Sequence, residues 1–171
     1  GDGVGRLDTI VEATADQLGK DQPGKAQVVA LCGRNAKARQ RLEAKRASGS
    51  WPQVDVQVRG FTNQMSSYMD AADCLVTKAG PGTIAEAAIK GLPTMLSSFL
   101  PGQEFGNVGF VREHGFGAFA KQPRVIAETV SNWMLDDAKL ADMRSSARQS
   151  ATPHATELVT KDLLELMDHA K

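Results

Sequence analysis

Lys78 stands at the mouth of a short loop, Ala79-Gly80-Pro81-Gly82, that closes on Thr83. The apolar run Cys74-Leu75-Val76 leads into it, and a helical pattern of small residues follows, with Glu86 one turn inside. A connection that only had to turn would need neither two glycines around a proline nor a cation beside them. Glycine lets a backbone approach a ligand closely, and the free N–H groups opening a helix face outward with the positive end of its dipole. Thr83 can cap that end or donate its hydroxyl to a phosphate oxygen. Lys78, Ala79, Gly80, Pro81, Gly82 and Thr83 therefore read as a phosphate cradle. Glu86 has two possible uses. Three residues after Thr83, it can close a capping box, which is a structural job. It also lies where a ribose would project from a bound phosphate, and carboxylates hold paired sugar hydroxyls well. The ribose reading is preferred.

Other polar groups recur at comparable places. Gly1-Asp2-Gly3-Val4-Gly5 is similar to a dinucleotide loop, but the acid expected at the end of a second strand is absent. That strand ends in Cys32-Gly33-Arg34-Asn35 instead, a basic and amide pairing. The first loop still serves as a second anion cradle. A P-loop is excluded, because no GxxxxGK[ST] occurs. Gln103 and Glu104 offer an amide and a carboxylate suited to neutral hydroxyls, as in sugar recognition, with Asn107 close behind. Alone, the pair would be an ordinary helix start. Beside a nucleotide-diphosphate site it reads as a hexose contact.

These loops need strands and helices to hold them. Apolar runs with β-branched residues alternate with helical patterns along the chain. Leu7, Ile10, Val11, Thr14 and Leu18 predict a first helix ending at Gly19. Strands follow at 26–32, 54–58, 73–77, 94–99 and 118–120, with the last short and at an edge. Helices fill 36–46, 64–71, 104–113, 123–135, 138–149 and 153–170. Strands separated by helices imply a parallel sheet with right-handed crossovers and both faces covered. The expected fold is one Rossmann-like, doubly wound α/β domain spanning 1–171, with a helical tail. Its ligands belong at the C-terminal ends of the strands, where residues 1–6, 33–35, 78–82 and 100–103 leave the sheet.

Composition sets the outer limits. The 171 residues suit one domain with a proper core. Twenty basic residues balance twenty acidic ones, so no global field draws nucleic acid or anionic lipid, and any anion site must be local. Cys32 and Cys74 each sit in or beside an apolar run and are expected as reduced, buried thiols. With no CxxC pair and three scattered histidines (His114, His154, His169), no metal site or cofactor is expected. No apolar stretch approaches the ~20 residues of a membrane span. The chain opens on Gly1 with no initiator methionine, so it is expected to be a piece of a longer protein.

The stretch Thr77 to Pro93, together with Gly1 to Gly5, Leu31 to Asn35, Gly60 to Met65 and Pro101 to Asn107, resembles the C-terminal half of the monogalactosyldiacylglycerol synthases. Those are GT-B glycosyltransferases related to the bacterial peptidoglycan GlcNAc transferase. They move galactose from UDP-galactose to diacylglycerol in photosynthetic membranes. The resemblance implies that Lys78 to Thr83 and the Gly1 to Gly5 loop, Asp2 included, hold the diphosphate. It places the ribose on Glu86 and the uracil against Gly60, Phe61, Thr62 and Met65. Gln103 and Glu104 meet the hexose, and Gly33, Arg34, Asn35 and Asn107 line the same cleft. UDP leaving the anomeric carbon deposits charge on the diphosphate, which fixed donors stabilise without a metal.

By the same resemblance, the catalytic histidine, the acceptor-lipid site and peripheral contact with the plastid envelope belong to an N-terminal domain outside this chain. Residues 153–170 are expected to pack toward that domain through Leu158, Val159, Leu163, Leu166 and Met167. His154 is read as a surface residue, with the interdomain cleft as its alternative place. The sequence leaves UDP-galactose and UDP-glucose open. A non-catalytic UDP-sugar-binding subunit of a split transferase and a nicotinamide-dependent oxidoreductase are the alternative functions.

Overall fold

A computed structural model describes residues 6–169. Helix α1 (Leu7–Asp21) buries Val11, Thr14, Ala15 and Leu18, the stripe expected of helical spacing. It feeds β1 (Ala26–Leu31), and helix α2 (Ala36–Ala47) crosses to β2 (Val54–Arg59), whose buried valines alternate with exposed Asp55 and Arg59 and half-buried Gln57. Next come α3 (Met65–Ala71), β3 (Leu75–Lys78), α4 (Pro81–Lys90) and β4 (Thr94–Ser98). The chain continues through α5 (Phe105–Glu113), β5 (Gly117–Phe119), α6 (Pro123–Met134), α7 (Asp137–Ser150) and α8 (Ala155–His169).

All strand pairs are parallel, as strand–helix alternation requires. The ladder is not continuous, however. One sheet pairs β1 with β2, and a second has the order β3-β4-β5. Helix α1 joins their cores. Its Val11, Ala15 and Leu18 pack with Val54, Val56 and Val58 of β2, while Ile10 packs with Cys74, Val76 and Met95 on the other side. The same helix lies against α6, where the Ser131 hydroxyl donates to Asp21 at 2.5 Å.

Helix ends follow local chemistry. Asn35 caps α2 by accepting the Ala38 N–H at 3.0 Å, and Asp136 caps α7 through the Lys139 N–H at 2.9 Å. Gly91 ends α4 in the left-handed region at φ 67°. Gly117 has a stricter duty: a Cβ there would lie 2.0 Å from the Thr94 carbonyl oxygen. Trp51 and Trp133 are both buried, so they belong to the core. Both cysteines are unbridged. Burial pushes the Cys74 thiol up to about 12 and raises Cys32 as well. Every residue of α8 from 155 to 167 is exposed, Leu158, Val159, Leu163, Leu164, Leu166 and Met167 included.

Candidate functional site

The exit of β3 is shaped by a β-bulge. Thr77 pairs with Leu96 but Lys78 with Ser98, so Ser97 is the extra residue on β4, and its hydroxyl donates to the Thr77 carbonyl at 3.1 Å. Lys78 is the last residue of β3, directly after this shift in register. The chain then closes tightly, with the Gly80 N–H on the Lys78 carbonyl at 2.8 Å, and α4 starts at Pro81. No side chain caps this helix. Pro81 has no N–H, so the amides of Gly82 and Thr83 open the first turn without a side-chain acceptor. The Thr83–Glu86 capping box, one of the two uses open to Glu86, is not formed. Glu86 is half-buried and, among the described residues, makes no side-chain hydrogen bond or ion pair.

Above this turn sits the loop from β4 to α5. The Leu100 carbonyl accepts from the N–H groups of Gln103 and Glu104, and the Leu100 N–H donates to Glu104 Oε2 at 2.8 Å. The other oxygen, Oε1, accepts from Lys78 Nζ at 2.6 Å. The Glu104 side chain is only 7% exposed, against 43% for Lys78. The hydrogen bond from Lys78, supported by that from Leu100, holds the Glu104 carboxyl below its ordinary range. Asn107 reaches back from α5 and donates to the Ala79 carbonyl at 2.8 Å. Gln103 is exposed, with no side-chain partner among the described residues.

A second group gathers at the exits of β1 and β2. Gly33 takes φ 57°, and the Arg34 guanidinium stands 5.8 Å from the centre of the Phe61 ring, which is 71% exposed. The Thr62 hydroxyl accepts the Gln64 N–H at 3.0 Å just before α3, which opens on the exposed Met65. Asn35 uses its carbonyl oxygen as the α2 cap. The fifth predicted contact, Gly1 to Gly5 with Asp2 and Gly3, lies outside the described residues.

The predicted site residues thus fall into two clusters, one at the exits of each sheet. The Lys78–Glu104 pair and the bulge at Ser97 were missed in the sequence. The pair had a signal: opposite charges on the exit loops of two strands that pair in parallel. Two shallow cavities, of about 260 Å³ beside Asp16 and Trp51 and about 270 Å³ beside Asp70 and Arg144, lie at the opposite ends of the strands. His114 and His154 stand apart from both clusters. His114 caps the end of α5, and His154 is an exposed neighbour of Glu157. Among the described residues, no group of three or more His, Cys, Asp or Glu could hold a metal ion, and no helix is long and apolar enough to cross a membrane.

The model of the glycosyltransferase family 28 C-terminal domain matches residues 3–159. The chain belongs to that family. Monogalactosyldiacylglycerol synthase 1 of Arabidopsis thaliana, a chloroplastic protein, is 42% identical over 170 residues, covering 98% of this chain and 31% of the plant protein. The synthase of Spinacia oleracea is 41% identical over 170 residues, covering 98% and 32%. This family 28 domain therefore spans about a third of the length of the curated relatives it matches. Among solved structures, MurG of Acinetobacter baumannii superposes with a TM-score of 0.73 at 22% identity, over 95% of this chain and 47% of that one. That match supports the fold, the C-terminal half of a GT-B glycosyltransferase.

Proposed function

We propose that this chain is the donor-binding domain of an inverting transferase that moves galactose from UDP-galactose to diacylglycerol. The supporting observation is the β3–α4 turn: an uncapped helix start with Lys78 beside it, in a family 28 domain about two-fifths identical to monogalactosyldiacylglycerol synthases. The diphosphate rests on the amides of Gly82 and Thr83, with the loop of Gly1, Asp2, Gly3 and Gly5 as the opposing cradle. Lys78 adds charge, and Glu86 receives the ribose hydroxyls. Phe61, Thr62 and Met65 form the uracil wall, with Gly33, Arg34 and Asn35 behind it. Gln103 projects toward the hexose.

Chemistry at the anomeric carbon needs little more from this side. As the bond to UDP breaks, charge accumulates on the diphosphate, and donors already fixed there stabilise it without reorganising. The acceptor hydroxyl, its base and the membrane contact come from an N-terminal domain, toward which residues 153–170 pack. The plant relatives are named as chloroplastic, and we place this protein in the plastid too, peripheral on the envelope membrane. Calorimetric titration of the chain with UDP, UDP-galactose, UDP-glucose and NADH tests the reading. Binding of UDP and of one UDP-hexose, with none of NADH, is the expected result. Binding of NADH alone would replace it with an oxidoreductase.

A further inference from the structure

Three phenylalanine rings run outward from the core where β4 and β5 leave the sheet. Phe119 and Phe99 stand with ring centres 5.5 Å apart, and Phe105 meets Phe99 edge-on at 5.5 Å. Phe119 and Phe99 are half-buried, whereas Phe105 is 68% exposed. Leu100, whose carbonyl closes the turn between β4 and α5, is 46% exposed. Single exposed apolar side chains are ordinary on a protein surface. These are not single, because they continue a stack that starts in the core beside Val111 and Phe116.

Cations border the stack. Lys121 Nζ lies 5.4 Å from the centre of the Phe99 ring and makes no ion pair among the described residues. Arg124 follows, and the segment from Ala120 to Arg124 contains no acid. Glu104, between Leu100 and Phe105, is buried and paired with Lys78. On a chain of zero net charge, this is a local positive rim beside an apolar tip.

Exposed phenyl and leucyl groups bordered by lysine suit a lipid–water interface, where rings enter the acyl boundary and ammonium groups meet headgroup phosphates. A folded partner domain is offered a different surface, the aliphatic face of α8. The place also agrees with the reaction. Leu100 and Phe105 flank Gln103, which faces the hexose in the reading above. An acceptor hydroxyl must come within bonding reach of the anomeric carbon, and diacylglycerol carries that hydroxyl at the face of its leaflet. The turn that holds the hexose must then come close to the leaflet.

We infer that Leu100, Phe105 and Lys121 form a membrane-docking tip that seats the hexose loop on an anionic lipid leaflet, in addition to the contact assigned to the N-terminal domain. The inference rests on the donor-site reading for the tip's place in the reaction; its affinity for lipid follows from the side chains alone.

Co-sedimentation of the 171-residue chain with phosphatidylcholine vesicles, with and without phosphatidylserine, tests it. The wild type should bind both, and bind those containing phosphatidylserine more tightly. Phe105→Ser should weaken binding to both roughly tenfold, the scale of one buried aromatic side chain. Leu100→Ser should act in the same direction. Lys121→Gln should weaken binding about fivefold on the phosphatidylserine vesicles alone, the scale of one lysine at an anionic surface. All three side chains are exposed, so thermal melts and UDP affinity should not change. Leu158→Ser combined with Leu163→Ser is the comparison, because α8 also carries exposed apolar side chains.

A wild type that ignores both vesicles would overturn the proposal. So would binding that survives Phe105→Ser and Leu100→Ser and falls only with the α8 pair. Self-association without lipid that Phe105→Ser abolishes would overturn it too, by making the tip a contact between copies. Should Phe105→Ser fail to fold, Leu100→Ser and Lys121→Gln decide by the same criteria. Failure of the wild type to bind UDP, with vesicle binding intact, would instead sink the donor-site reading.

Discussion

Glu86 shows how little separates a structural carboxylate from a binding one. One turn inside α4, it had a capping partner within reach in Thr83, yet the helix start is uncapped and Glu86 has no partner among the described residues. A half-buried carboxylate left in that state suits hydroxyls brought by a ligand. Glu86→Gln should therefore weaken UDP binding by about 1–3 kcal/mol, while the melting temperature moves little, because no internal bond is lost. Calorimetry and a thermal melt on the same sample check both halves. A marked loss of stability with unchanged UDP affinity would return Glu86 to a structural role. The two carboxylates of the site thus differ in kind. Glu86 makes no side-chain bond among the described residues, and Glu104 already makes two.

Elements were the more legible level of the sequence, for a physical reason. Helices and strands here carry their own period, and their ends carry their own signals, such as Pro81, Pro123 and Gly91. The predicted boundaries consequently lie within one or two residues of the observed ones. What periodicity cannot show is pairing across the sheet. Nothing along the chain marks the break between β1-β2 and β3-β4-β5, or the register shift between Thr77 and Lys78.

Gly117 was passed over as the start of a short edge strand, although the neighbouring strand fixes its identity. A Cβ at that position would meet the Thr94 carbonyl oxygen at 2.0 Å and Val111 Cγ1 at 2.5 Å. Backbone cannot yield there without breaking the β4–β5 ladder. Gly117→Ala should cost about 3 kcal/mol, the upper end for overpacking, and lower the melting temperature by roughly 6–12 °C for a chain of this size. Denaturant unfolding of the variant checks it, and a loss near zero would mean that the β4–β5 pairing shown here is wrong.

Cys74 links the same core to pH. Its thiol is held up to about 12 by burial, with the nearby Asp73 carboxylate adding to the effect. In the unfolded chain a thiol ionises near 8.5. A raised thiol pKa means that the folded state binds more protons between those two values, so stability falls as pH rises through that window. The contribution is fully present below the unfolded pKa. Unfolding free energy measured from pH 8 upward should therefore decline, and Cys74→Ala should flatten the decline. An unchanged slope in the variant would assign the alkaline loss to other groups, with Cys32 next in line because its thiol is raised in the same direction.

At the scale of the whole molecule, the candidate site residues gather at the strand exits of both sheets. The cradle at α4, the Lys78–Glu104 pair and the Arg34–Phe61 stack all lie at strand exits. Among the described residues no histidine stands with them: His114 ends α5 on another edge, and His154 is exposed beside Glu157. Meanwhile α8 presents Leu158, Val159, Leu163, Leu166 and Met167 uncovered, an apolar face with the spacing of a helix that packs on something. Positioning a UDP-sugar lowers part of the barrier, but an acceptor hydroxyl that meets no base near the required pKa is not activated. We therefore expect this chain alone to bind a uridine nucleotide and to form no galactolipid. The assay supplies UDP-galactose and diacylglycerol in mixed micelles, before and after adding the separately expressed N-terminal part of a related synthase. Product that forms only on recombination fits a donor half whose acceptor site and base lie on the partner domain. Robust synthesis by the chain alone would mean that one of its own groups acts as the base, and the division between the two halves would have to be abandoned.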